Sequence, residues 1–96
     1  QKDMEERAKK IAELLKLLAN EHRLLILCAL LNGQLTVGDI HQYTPNITSS
    51  ALSQHLNQMR MFGILSSQKQ GTNVFYRIED ERVIVLIDAI KKEFCG

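Results

Sequence analysis

The stretch Ile47–Phe62, ITSSALSQHLNQMRMF, decides how the rest of the chain reads. Set on a helix at about 100° per residue, Leu52, Leu56 and Met59 fall on one face, with Ala51 and Phe62 beside them. Ser50, Ser53, Gln54 and Asn57 recur at the same spacing on the opposite face, and Ser49 opens the helix. Thr48 is placed to cap the N-terminus, with Ile47 and Leu52 around it as a hydrophobic staple. The polar face is uncharged. A helix face that only meets water ordinarily carries Lys and Glu. Short hydroxyls and amides suit a helix that approaches base edges in a major groove.

The segments on either side support that reading. Upstream, Val37–Tyr43 reads as a short helix burying Val37 and Ile40, and Thr44-Pro45-Asn46 forms the turn that stops it. The two helices make a helix-turn-helix with a slightly long turn. Downstream of Gly63 the period changes to two. Ile64–Gln68 and Val74–Ile78 read as strands joined through a hairpin tip at Lys69–Asn73. A two-stranded hairpin needs support, so it must lie against the helices as a wing. Lys69, Gln70, Thr72 and Asn73, with Arg77 nearby, are the wing groups offered to phosphates or the adjacent minor groove. Leu35 and Thr36 form a further short strand before the helix-turn-helix.

The ends of the chain are helical. Asp3–Ala19 carries a stripe of Met4, Ala8, Ile11, Leu15 and Leu18, widened by Leu14. Asn20 breaks it, and Glu21–Leu31 follows, its centre LLILCALL apolar all round, as in a helix buried on every side. Asn32-Gly33 ends that helix. Asp80 caps a last helix from Glu81 to about Phe94, with the stripe Val83, Ile87, Ile90 and Phe94. Val85, Leu86 and Ala89 add apolar surface that one small core cannot hide. The terminal helices, residues 1–19 and 80–95, are therefore expected to pair with their copies in a second chain through Ile11, Leu15, Leu18, Val83, Ile87, Ile90 and Phe94. A two-fold dimer spaces two recognition helices about one DNA turn apart on a palindromic site.

Composition fits this plan. The 96 residues are 45% hydrophobic and 24% charged, enough for one domain, residues 1–96, with one core. Twelve basic against eleven acidic residues leave +1, so DNA affinity must come from local phosphate contacts doubled by a dimer, not from a basic stripe. No apolar run reaches the length of a membrane span and no signal peptide is evident. The chain begins at Gln1 rather than Met, as a sequence lacking an N-terminal piece would. Two cysteines without a secretory context predict a cytoplasmic protein with reduced thiols. Trusted nucleophile–base spacings, phosphate loops and clustered carboxylates are missing, so an enzyme is not expected, nor a cofactor.

Four segments in this order, LLANEHRLLILCALL, LTVGDI, SSALSQHL and a wing ending in FYRI, resemble the ArsR/SmtB winged-helix repressors. The resemblance spans nearly the whole chain. It implies a mainly α winged helix-turn-helix of about five helices with a two-stranded wing, acting as a dimeric operator-binding repressor of double-stranded DNA. The family's recognition motif corresponds to Ser50, Ser53, Gln54 and His55. His55 lies toward the apolar flank, where a structural hydrogen bond is as natural as a base contact. Many members sense metals. One family site uses two cysteines in the helix before the turn, and Thr36 and Gly38 stand at those positions, neither able to replace a thiolate. Another uses Asp and His on the last helix, which here has Asp80 and Asp88 but no histidine. No metal site is expected.

On composition alone Cys28 is a small core residue and Cys95 a thiol near a frayed end. A subgroup of the family, the BigR-like and HlyU-like regulators, carries a cysteine in the ILC segment and another just before the chain end, and this chain is similar to it. The resemblance implies that Cys28 and Cys95 are a dithiol sensor of reactive sulfur species or oxidants. Thiolate attack on a polysulfide would give a persulfide and then a bridge tying core to dimer helix. Lys91 and Lys92 would favour a Cys95 thiolate, and the helix C-terminus would oppose it. Three functions follow as alternatives: a repressor released by thiol modification; the same dimer as a metal-responsive repressor or a derepressor that displaces another DNA-bound protein; and a winged-helix protein-interaction module.

Overall fold

A computed structural model describes residues 2–96, and Gln1 lies outside them. The chain runs α1 (Lys2–Leu18), α2 (Glu21–Leu30), β1 (Leu35–Thr36), α3 (Val37–Tyr43), α4 (Ser49–Met61), β2 (Leu65–Gln70), β3 (Asn73–Ile78) and α5 (Glu81–Phe94). It is a winged helix-turn-helix, and its elements fall within a few residues of those expected.

Capping explains the helix boundaries. Asn20 does more than break α1: its Oδ1 accepts from the backbone N–H groups of His22 and Arg23 and so starts α2. Thr36 Oγ1 accepts from Asp39 N at the start of α3, and Thr48 Oγ1 accepts from Ala51 N at the start of α4. The recognition helix α4 ends in a Schellman motif. Ile64 N bonds Met59 O at 2.9 Å and Gly63 N bonds Arg60 O at 3.0 Å. Gly63 holds φ +90°, a value that a side chain at this position would resist. The turn drops Ile64 into the core and launches the wing.

The sheet has three strands in the order β1-β3-β2, all antiparallel, so β1 joins the two strands of the wing. Leu35 pairs with Tyr76 and Thr36 with Phe75, which ties the start of α3 to the wing. The hairpin is tighter than a five-residue tip. Its strands continue to the Gln70–Asn73 pair, leaving only Gly71-Thr72 in the turn, with Gly71 at φ +65° as the first position of a II′-type turn requires.

One core gathers Ile26, Leu27 and Leu30 of α2, Ile40 of α3, and Leu52, Leu56 and Met59 of α4. Ile64, Leu65, Ile78, Val83 and Ile87 complete its far side. The three α4 side chains are those of the expected stripe, and burying each contributes about 1.5–3 kcal/mol. Two expectations need correction. The α2 centre is not sealed on every side, because Leu25 is 45% exposed and Cys28 is half-buried. Of the seven residues assigned to a dimer face, Leu18, Val83 and Ile87 are consumed by the core of the single chain. Ile11, Leu15 and Phe94 are exposed and Ile90 partly so. The stripes were read correctly as apolar, but their inner edges turn toward α2 and only their outer edges are open. Among the described residues no helix is long and apolar enough to cross a membrane.

Candidate nucleic-acid interface and thiol pair

The outer face of α4 is exposed at Ser49, Ser50, Ser53, Gln54 and Asn57, while Leu52, Leu56 and Met59 anchor the opposite face. Asn57 is not idle on that face: its Oδ1 accepts from the Arg60 guanidinium at 2.8 Å. Arg60, exposed and one turn on, therefore brings a positive charge to the polar face. The Asn57–Arg60 spacing of three, one helical turn, is the sequence signal for this pair.

His55 behaves differently from its neighbours. It is half-buried, and its Nδ1 accepts from Arg23 Nε at 3.0 Å. Arg23 also donates to Gln58 Oε1 of α4 and to the Leu17 carbonyl of α1 at 2.9 Å. Burial, and then the charges of Arg23 and His22, hold His55 below the usual imidazole range. His55 is thus engaged inside the fold, and Arg23 is the residue that engages it. A second histidine fixes the turn of the helix-turn-helix: His41 Nε2 is 2.9 Å from the Ile47 carbonyl, joining α3 to the residue before the Thr48 cap.

The wing residues do not form one group. Lys69, Gln70, Thr72 and Asn73 cluster at the exposed tip around Gly71. Arg77 does not join them. It pairs in register with Ser66 near the root of the hairpin and is ion-paired with Glu79 at 2.9 Å. Strand alternation also puts it on the face opposite Lys69. Arg77 was expected near the tip, and the strand register sets it at the root instead.

Cys28 and Cys95 come from different helices, and both are free thiols. Cys95 is no frayed end: its backbone N–H caps α5 by bonding the Lys91 carbonyl at 2.9 Å, and its side chain is exposed. Cys28 packs on the core from α2. Burial pushes its thiol up, the nearby Cys95 charge pushes it further, and the Lys91 ammonium opposes both. The two lysines of the last turn divide their roles, since Lys92 pairs with Asp88 at 3.0 Å while Lys91 acts on Cys28. At the position where a family metal site has a cysteine, the Thr36 hydroxyl is used to cap α3. Among the described residues no three His, Cys, Asp or Glu side chains gather as metal ligands.

A helix-turn-helix with an exposed polar recognition face and a β wing defines a winged-helix DNA-binding regulator. The chain belongs to the ArsR family: residues 20–67 match the family described as bacterial regulatory protein, arsR family. It is 38% identical over 93 residues to the transcriptional activator HlyU of Vibrio cholerae, covering 97% of this chain and 85% of that one. The structure of reduced HlyU from that organism superposes with a TM-score of 0.91 at 36% identity over the full length of both. The transcriptional repressor BigR from Xylella fastidiosa gives 0.87 at 35% identity, covering 99% of this chain and 96% of that one. A homodimeric winged helix-turn-helix DNA-binding domain from Mycobacterium bovis gives 0.79 at 27% identity, covering 95% and 83%. The chain is thus a DNA-binding transcriptional regulator and not an enzyme.

Proposed function

We propose that the chain acts as a homodimeric repressor whose hold on a palindromic operator is released when Cys28 and Cys95 are modified or cross-linked by reactive sulfur or an oxidant. What supports this is that the two thiols, from a core helix and a terminal helix, come near enough for the Cys95 charge to push the Cys28 thiol up, with Lys91 opposing it. Similarity to a repressor named BigR and to an HlyU described in a reduced form supports the same reading.

The environments give the two thiols different parts. Cys95 is exposed and meets the reagent first. Its thiolate attacks a sulfur of a polysulfide, takes that sulfur as a persulfide, and expels the remainder as the reduced leaving group. That step moves the Cys95 negative charge one bond out, onto the outer sulfur, and makes Cys95 Sγ an electrophile, while Lys91 stays beside Cys28. The Cys28 thiolate, favoured by the Lys91 ammonium, then attacks Cys95 Sγ of the protonated persulfide, forming the disulfide and expelling hydrosulfide. Two thiolates lose two electrons in all, and the polysulfide sulfur takes them up.

The dimer is formed by the open edges of α1 and α5. Ile11, Leu15 and Phe94 are 54%, 49% and 84% exposed, and Leu15 borders an apolar groove with Leu24, Leu86 and Ile90. Covering such surface is the driving force for association. A cross-link between Cys28 and Cys95 binds α5 to α2 and so shifts the dimer helix against the DNA-reading domain, biasing half-site spacing. The test is Cys95→Ser. It is expected to bind operator as the parent chain does and to stay bound in polysulfide. A variant still released by polysulfide would contradict the proposal.

A further inference from the structure

Arg23 lies in the first turn of α2, where the Asn20 side chain fixes the backbone by accepting from His22 N at 2.9 Å and Arg23 N at 3.2 Å. From that fixed base its guanidinium spans three helices. Nε donates to His55 Nδ1, one terminal nitrogen donates to Gln58 Oε1, and the other donates to the Leu17 carbonyl. Leu17 contributes one of the last four carbonyls of α1, which have no partner within their own helix. His55 and Gln58 are three apart on α4 and flank the exposed face, next to Gln54 and Asn57 respectively.

We infer that Arg23 is a positioning residue for DNA reading, setting the rotation and seat of α4 against the end of α1. The apolar contacts of Leu52, Leu56 and Met59 hold α4 to the core, but hydrophobic contact is non-directional. Two bonds from one planar fork to successive turns of α4 supply the direction, and a third ties the fork to α1. A small rotation of α4 moves every base-facing side chain at once, so loss of the fork lowers discrimination rather than general affinity for DNA. This inference rests on the DNA-binding character of the family and is independent of the thiol chemistry.

The test uses the full chain and two duplexes: one selected from random sequence by the parent protein, and a scrambled control of the same length. Arg23→Lys keeps the charge and loses the planar fork; Gln58→Ala removes one acceptor at an exposed position. Arg23→Lys is expected to lose about tenfold or more on the selected duplex, as for a lost charged hydrogen bond, and Gln58→Ala a smaller part. Neither should change affinity for the scrambled duplex or the slope of log affinity against log salt. The His55 ring signals should move with Arg23→Lys, because Nδ1 loses its donor. Equal losses on both duplexes with a shallower salt slope would make Arg23 a phosphate contact and overturn the inference. If Arg23→Lys does not fold, Gln58→Ala decides alone, and unchanged discrimination then refutes the role. A parent protein that selects no duplex overturns it as well.

Discussion

His55 accepts a 3.0 Å hydrogen bond at Nδ1 from Arg23 Nε, and it can do so only while its imidazole is neutral. Burial, Arg23 and His22 all oppose the proton, so the folded chain holds His55 below its ordinary value of 6.5. As pH falls, the unfolded chain takes up the proton first, and the stability contributed by neutral His55 is lost from about pH 6.5 downward through the folded value. We expect a lower melting temperature at about pH 5.5 than at about pH 7.5, with the difference reduced in His55→Gln. An NMR titration of His55 with a midpoint at or above the ordinary value would contradict this.

Gln54 stands exposed on the polar face of α4, one residue before the engaged His55. Gln54→Ala should weaken binding to a selected duplex by about 1–3 kcal/mol and leave non-specific binding nearly unchanged, because a base contact discriminates and a phosphate contact does not. Equal losses in a competition assay would remove Gln54 from base reading.

Leu15 is half-exposed at the edge of the groove with Leu24, Leu86 and Ile90. A carboxylate there would have to lose its hydration on association, so Leu15→Glu should give a folded monomer with weak operator binding. Sedimentation, with circular dichroism as the fold control, checks it. A dimer of unchanged stability would place the interface elsewhere.

The Lys91 ammonium favours the Cys28 thiolate, against burial and Cys95. Lys91→Gln should therefore slow alkylation of Cys28 at neutral pH and delay the cross-link. Cys95→Ser should do the reverse to Cys28 by removing an opposing charge. Rates of iodoacetamide labelling, read by mass, distinguish these outcomes, and a Cys28 rate indifferent to both changes would mean that burial alone governs it.

Local pattern was enough to read α4, since its capping Thr48, its Leu52-Leu56-Met59 stripe and its Gly63 stop all lie within one segment and agree with one another. The long-range partners were out of reach. Nothing near Arg23 in the sequence announces His55, thirty-two residues on, or the Leu17 carbonyl behind it. The end of β2 was hard to read because a strand continuing to Gln70 cannot be told from a loop when its residues are polar, and the Glu79 partner of Arg77 lies beyond the strand. Leu18, Val83 and Ile87 carry the same apolar signal as Leu15 and Ile90, and only the packing of α1 and α5 on α2 decides which edge is covered. The Cys28–Cys95 neighbourhood likewise depends on where α5 ends.

The central claim is most directly tested by intact mass of the chain with and without polysulfide, measured beside binding to its own promoter DNA. The account predicts an intrachain link between Cys28 and Cys95, with or without an added sulfur, appearing in step with release of the DNA. Reductant should reverse both. If the thiols react separately, or link while the DNA stays bound, the cysteines do not control this regulator.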